Sequence, residues 1–248
     1  MLYICRLTFA TLADKLYRKF AICEPAGHSL RLEQQTGLPN PIRRYGRFEI
    51  CATLERQAGH HLPNMDIKPW KKVGSQPVGD FRIFTIRSDR VISPRTQQEQ
   101  DVFVIDCVNW VNVIAVTPER RLVMIEQYRH GSTTVELEIP GGMIDAKDAS
   151  PTAAGLRELR EETGYEGENP RLIGRIFPNP AIMSNTCYTV MVENCRCLHP
   201  VQFDHGEDLV TRLVPIAELP RMVAEGKIQH SLVVVALYYF ELWQRSSR

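Results

Sequence analysis

Eight short apolar runs, several alternating with polar residues at period two, punctuate the chain: Phe81 to Arg87, Asp101 to Asp106, Trp110 to Val116, Leu122 to Gln127, Val135 to Ile139, Arg171 to Phe177, Thr186 to Val192 and Leu209 to Val214. Runs of this length, rich in β-branched and aromatic residues and bounded by Gly, Pro, Asn or Asp, predict strands. Helical spacing is rarer. It occurs in the stretch that follows Ser150-Pro151, in a short segment from Leu219 to Glu225, and from Ser231 to Gln244. Few helices among many strands, the first inserted after a strand, predict an α/β class fold, a mixed sheet held between helical layers.

The first 64 residues do not join this plan. After a possible helix at Leu7 to Phe20 they hold scattered Pro and Gly, the basic run Arg43-Arg44-Tyr45-Gly46-Arg47, and no sustained period. Residues 1–64 are therefore expected to form a poorly ordered extension, or to precede a true start at Met65, with residues 65–248 as the working domain. A basic interaction arm is the functional alternative.

Composition narrows the class. The chain has 248 residues, 44% of them hydrophobic, enough for a sizeable core. The net charge of +1 hides an asymmetry: residues 1–64 carry nine Lys or Arg against five acids, residues 65–248 carry 21 against 24. A mildly acidic domain leaves no nucleic-acid footprint. Seven irregularly spaced cysteines read as reduced cytosolic thiols, which points to the cytoplasm. Cys195, Cys197 and His199 could be imagined as a metal cluster, but a single close pair is more often structural. No run approaches the roughly 18 apolar residues of a membrane span, and Leu232 to Phe240 is expected to be a buried helix. Arg6, Lys15, Arg18 and Lys19 could suggest a targeting peptide, which Asp14 and the lack of a clean apolar core argue against.

The most informative stretch is Arg157-Glu158-Leu159-Arg160-Glu161-Glu162-Thr163-Gly164. At roughly 100° per residue, Glu158 and Glu162 share one helix face with Glu161 beside them, while Ala153, Leu156 and Leu159 fall opposite. The acids repel one another unless a cation neutralises them, and Arg157 relieves only part of this by pairing with Glu161. Hard oxygen ligands at this density suit Mg²⁺ or Mn²⁺. An acidic run is usually a solvated face; here the context decides. Ser150 reads as an N-cap, Pro151 as a first-turn proline and Gly164 as a left-handed C-cap, which predicts a helix of about three and a half turns. Gly141 and Gly142 end the preceding strand and allow a sharp turn or a close ligand approach. Strand, glycine turn and capped acidic helix together suggest a phosphate-handling metal site.

These residues resemble the signature box of the Nudix hydrolases, G-x5-E-x7-R-E-U-x-E-E-x-G-U, with U a bulky apolar residue. Arg157, Glu158, Leu159, Glu161, Glu162, Gly164 and Tyr165 match its second half. The first half departs from it: the position of the family's first Glu is Ala149, the nearest acid is Asp148, and Gly142 lies one residue too far from Arg157. A one-residue loop insertion accounts for both, so the loop is expected to be remodelled and metal binding to survive. Leu122 to Arg129, Glu136 to Gly142, Pro180 fifteen residues after Tyr165, and Gly206-Glu207-Asp208-Leu209 resemble the ADP-ribose pyrophosphatase branch in the same order.

The resemblance implies a Nudix α/β/α sandwich and Mg²⁺-dependent cleavage of ADP-ribose to AMP and ribose 5-phosphate. It implies metal ligands at Glu158, Glu161, Glu162 and the Gly141 carbonyl, with Arg157 beside them, substrate contacts at Arg129 and Glu138, and a general base outside the helix, Glu207. It also implies a homodimer, with the strands from Phe81 to Asp106 as the place to look. Another nucleoside diphosphate linked to a sugar or alcohol is the alternative substrate, and a Nudix-fold binding or regulatory module without turnover is the alternative of a different class.

Overall fold

The computed structural model describes residues 66–203, 206 and 208–246, all within one unit, Asn64–Arg248. The expectations for residues 1–64 lie outside these. Ten strands are present: β1 (Lys71–Asp80), β2 (Phe84–Ile92), β3 (Glu99–Cys107), β4 (Trp110–Ala115), β5 (Arg121–Arg129), β6 (Thr134–Glu138), β7 (Gly141–Met143), β8 (Tyr165–Ile176), β9 (Cys187–Cys197) and β10 (Leu209–Pro215). Three α-helices accompany them among the described residues: α1 (Pro151–Thr163), α2 (Leu219–Ala224) and α3 (Ser231–Ser246).

The strands form three sheets, ordered β1-β2-β3, β10-β5-β6 and β7-β4-β9-β8. Only β4 and β9 run parallel, which makes the sheet mixed as expected. Alternation along β4 divides the core. Val111, Val113 and Ala115 pack with Ala154 and Leu159 of α1, while Ile114 packs with Val233, Ala236 and Phe240 of α3. Because successive side chains of a strand point to opposite faces, β4 is buried on both sides and reads as a near-continuous apolar run. The result is a helix–sheet–helix sandwich. Among the described residues no helix is long and apolar enough to cross a membrane.

Three strands differ from expectation. β1 carries Gly74, Pro77 and Gly79, is exposed along nearly its whole length, and exists through its antiparallel register with β2. β7 occupies the glycine pair, where a sharp turn or a close ligand approach was expected, and pairs with β4 through Gly141↔Asn112 and Gly142↔Val111. The strand expected from Phe81 begins instead at Phe84, with Phe81 and Ile83 in the β1–β2 turn. The β1-β2-β3 sheet joins the sandwich through a parallel bridge, Ile105↔Met183, and through the Ser184 N–H donated to the Ile105 carbonyl.

Candidate active site

Helix α1 is built by its ends. The Ser150 hydroxyl accepts the Ala153 N–H at 3.1 Å, Pro151 fills the first turn, and Gly164 closes the helix at φ 71° with its N–H on the Arg160 carbonyl. Gly155 lets the helix sit close to the sheet, since a Cβ there would meet Val111 and Val113 methyls at 3.2 Å. The apolar face is thereby pinned to β4 and β9, and the acidic face turns toward Gly141 and Gly142.

Glu158 and Glu162, one turn apart, are only 8% and 3% exposed. The Gly141 N–H donates to Glu162 Oε2 at 2.9 Å. Glu158 lies so close to Gly142 that a Cβ there would fall 2.6 Å from its Oε1, and a Cβ on Gly141 would fall 2.2 Å from the Val111 carbonyl oxygen. Both glycines are thus required for close approach, one to the sheet and one to a carboxylate.

Arg157 organises the rest. Its Nε and Nη2 grip Asp148 Oδ1 and Oδ2 at 3.1 and 2.9 Å, Nη2 also reaches the Met143 carbonyl at 3.0 Å, and Nη1 donates to Glu158 and Glu161 at 2.9 Å each. This is a bidentate fork plus two further charge-assisted bonds. The Arg157 guanidinium holds the Asp148 carboxyl below its ordinary value, helped by the Asp145 N–H. Asp148 stands six residues after Gly142, the spacing of the family's first Glu, so the extra residue lies between this acid and Arg157. The loop feeding the helix is therefore closed by Asp148.

The expected site residues fall into two groups. Glu158, Glu162 and Gly141 come together at the glycine pair. Glu161 shares the helix but is 36% exposed in its side chain and tied to Arg157. Among the described residues no three His, Cys, Asp or Glu side chains already form a metal-holding cluster. The donor set still fits a hard divalent cation, because two nearly buried carboxylates, Glu158 and Glu162, stand one helical turn apart at one glycine pair and offer hard oxygen ligands there. Cys195, Cys197 and His199 make no metal cluster either: Cys195 is buried, its thiol pushed up to about 12 by that burial, and His199 pairs with Glu166 at 2.6 Å. The described cysteines, Cys107, Cys187, Cys195 and Cys197, are all free thiols. Glu207 lies outside the described residues.

Beside the glycine pair opens a cavity of about 610 Å³ bordered by Trp110, Asn112, Arg129, Glu138, Gly141 and His230. Arg129 of β5 reaches diagonally along the β5–β6 pair to Glu138, which stands opposite Ile125, and forms a two-pronged ion pair, Nε to Oε1 at 2.6 Å and Nη2 to Oε2 at 2.8 Å. Glu138 is 3% exposed while the Arg129 side chain is 40% exposed, so the pair is anchored at a buried carboxylate and presents its guanidinium to the cavity. Asn112 and His230 escaped the sequence reading. Asn112 lies within an apolar strand, where a lone polar residue is the available signal; His230 precedes a helix, where it reads as a cap, and nothing local links it to Glu138.

Comparison with known proteins fits this geometry. The NUDIX domain family matches residues 109–233, about half of the chain. A protein of Bacillus methanolicus named methanol dehydrogenase activator is 28% identical over 173 residues, 69% of this chain and 92% of that protein. The ADP-ribose pyrophosphatase of Mycobacterium tuberculosis is 24% identical over 173 residues, 68% of this chain and 81% of the relative. The ADP-sugar pyrophosphatase of Mus musculus is 34% identical over 144 residues, 55% and 66% of the two chains. A crystal structure of an ADP compounds hydrolase superposes with a TM-score of 0.65 at 19% identity, covering 74% of this chain and 98% of that one, a likeness of fold.

Proposed function

Because the chain belongs to the Nudix family, we propose that this pyrophosphohydrolase acts on a nucleoside diphosphate linked to a second moiety, with ADP-ribose, cleaved to AMP and ribose 5-phosphate, as the substrate. The observation that carries the reading is the junction of two features. A buried carboxylate pair, Glu158 and Glu162, meets a glycine pair at the edge of a cavity whose other wall is the Arg129–Glu138 ion pair.

In this reading Glu158, Glu162 and the Gly141 carbonyl hold Mg²⁺, with Mn²⁺ as the substitute and Glu161 as the further carboxylate. The cation, when bound, neutralises diphosphate charge that would repel a water nucleophile. The remaining work belongs to the chain. Gly141 and Gly142 let the diphosphate approach backbone that a side chain would cover. Arg157, gripped by Asp148, keeps Glu158 and Glu161 in rotamers that face the site. Arg129, fixed by Glu138, presents a guanidinium edge to the substrate. Carboxylates engaged by a cation are poor proton acceptors, so Glu207, two positions before Leu209 in the chain, is assigned as general base on the sequence.

Two finer points belong to the same proposal. The chain acts in the cytoplasm. It also pairs with a second copy through the β1-β2-β3 sheet, whose Val78 and Phe103 are 54% and 60% exposed. Light scattering of the purified chain tests the pairing.

The activity is tested with purified protein, Mg²⁺ and a panel of nucleoside diphosphate derivatives. ADP-ribose should yield AMP, and Glu162→Gln should lower turnover by on the order of a hundredfold or more with unchanged thermal midpoint. A fully active variant overturns the metal assignment. The name of the Bacillus methanolicus relative favours a second reading, a regulatory role, which binding of the panel without phosphate release would support.

A further inference from the structure

Resting on the hydrolase reading, we propose that His230 is a substrate-binding residue that, together with Glu138, holds a hydroxyl of the sugar beyond the diphosphate. The backbone around His230 is fixed from three directions. The His230 carbonyl accepts the Val233 and Val234 N–H groups at 3.0 and 3.1 Å, starting α3. The Leu232 carbonyl accepts Asn112 Nδ2 at 3.3 Å, which ties the helix start to β4, and Gln229 Nε2 donates to the Gly226 carbonyl at 2.7 Å. The backbone that carries the imidazole is thus held by β4 and α3 together, and His230 lines the same cavity as Gly141 and Gly142.

Its two nitrogens are used unequally. Nδ1 is buried and has no hydrogen-bond partner, while Nε2 faces Glu138 Oε2 at 4.0 Å, beyond hydrogen-bond distance. A buried N–H without a partner is the costlier orphan, so the proton of the neutral ring belongs on Nε2, toward Glu138. Two atoms 4.0 Å apart can both be reached by one oxygen at roughly 2.8 Å from each. That oxygen must accept from Nε2–H and donate to a carboxylate. A hydroxyl does both. A phosphate oxygen carries no proton for Glu138 and would be repelled by it, and water would satisfy the gap without selecting anything. Arg129 spends one prong on each Glu138 oxygen and leaves each a lone pair for such a donor. The arrangement therefore selects substrates whose second moiety carries a hydroxyl within reach of the diphosphate.

The experiment compares ADP-ribose with the β-methyl ester of ADP, which keeps the diphosphate linkage and lacks the sugar. His230→Ala should cut kcat/KM for ADP-ribose by about tenfold, carried by KM, and leave the methyl ester within about twofold. His230→Gln, which restores a donor near Nε2, should recover part of the loss, whereas His230→Phe should not. Equal losses on both substrates, or no loss on either, overturn the proposal. Calorimetric titration of each variant with ADP-ribose gives the same answer without turnover: the alanine variant binds about tenfold more weakly or the inference fails. If the wild type processes a different nucleoside diphosphate derivative, the ADP-ribose reading falls, and the same pair of measurements with that compound and its methyl ester decides the role of His230.

Discussion

The sandwich and the β1-β2-β3 sheet solve the burial problem in opposite ways. In the sandwich, Leu159, Val113, Ile114 and Met124 are fully buried and the carboxylates stand at the rim. In the sheet, Phe103 and Val78 are 60% and 54% exposed, while Ser88 and Asp89 are each only 5% exposed. Asp89 is enclosed by one hydroxyl and two counterions: Ser75 Oγ donates to it at 2.5 Å, Lys72 Nζ at 3.2 Å and Arg87 Nε at 3.0 Å, and Arg87 also pairs with Asp106. A core that excludes water can stand alone. A sheet that buries Ser88 and Asp89 and leaves Val78 and Phe103 exposed is the face on which the proposed pairing of two copies is to be tested.

Four measurements would break or sharpen this contrast. The largest effect is expected from Leu159→Ala in the sandwich, a loss of about 3 kcal/mol in denaturant unfolding, because the cavity lies between α1 and a sheet that cannot collapse onto it. A loss below about 1 kcal/mol would mean that the sandwich is not the stable half. Asp148→Ala should come next. It frees Arg157 to fold over Glu158 and Glu161, so activity should fall by about tenfold with little change in unfolding, and higher Mg²⁺ should restore part of it. Activity equal to the wild type would remove Asp148 from the machinery.

The third measurement is a pH series. The Ser75 hydroxyl, followed by Arg87 and Lys72, holds the Asp89 carboxyl at about 2, below its unfolded value. The stabilisation this gives is complete above about pH 4 and is lost as pH falls toward 2. Amide exchange in β1 and β2 should therefore quicken between those values while β4 stays protected. Equal loss in both would merge the two regions into one cooperative unit. The smallest effect on stability is expected for Phe103→Ser: within about 0.5 kcal/mol for the isolated chain, with a shift in molecular weight from dimer toward monomer by light scattering. A large loss of stability would show that Phe103 is core after all.

The same contrast explains what could be read from sequence. α1 was legible end to end because Ser150, Pro151 and Gly164 each act through local backbone chemistry, and its acids sit at fixed spacing. β4 and β9 were legible as apolar runs. β1 was not, since its exposed Gly, Pro and Lys residues acquire a partner only through register with β2. In the site, Glu158 and Glu162 announce themselves. Counting forward from Gly142 finds Asp148, whereas counting back from Arg157 finds only Ala149. His230 and Glu138 are brought together by the packing of α3 against the sheet, and a chain separation of that size leaves no local trace.

The loop before α1 carries one more residue between its acid and Arg157 than the family pattern, and its acid is one methylene shorter. Backbone length and side-chain length here span a single gap. Changing either alone should slacken or jam it. Deleting Ala149 should be tolerated only together with Asp148→Glu, so that these two positions answer to mutation as one.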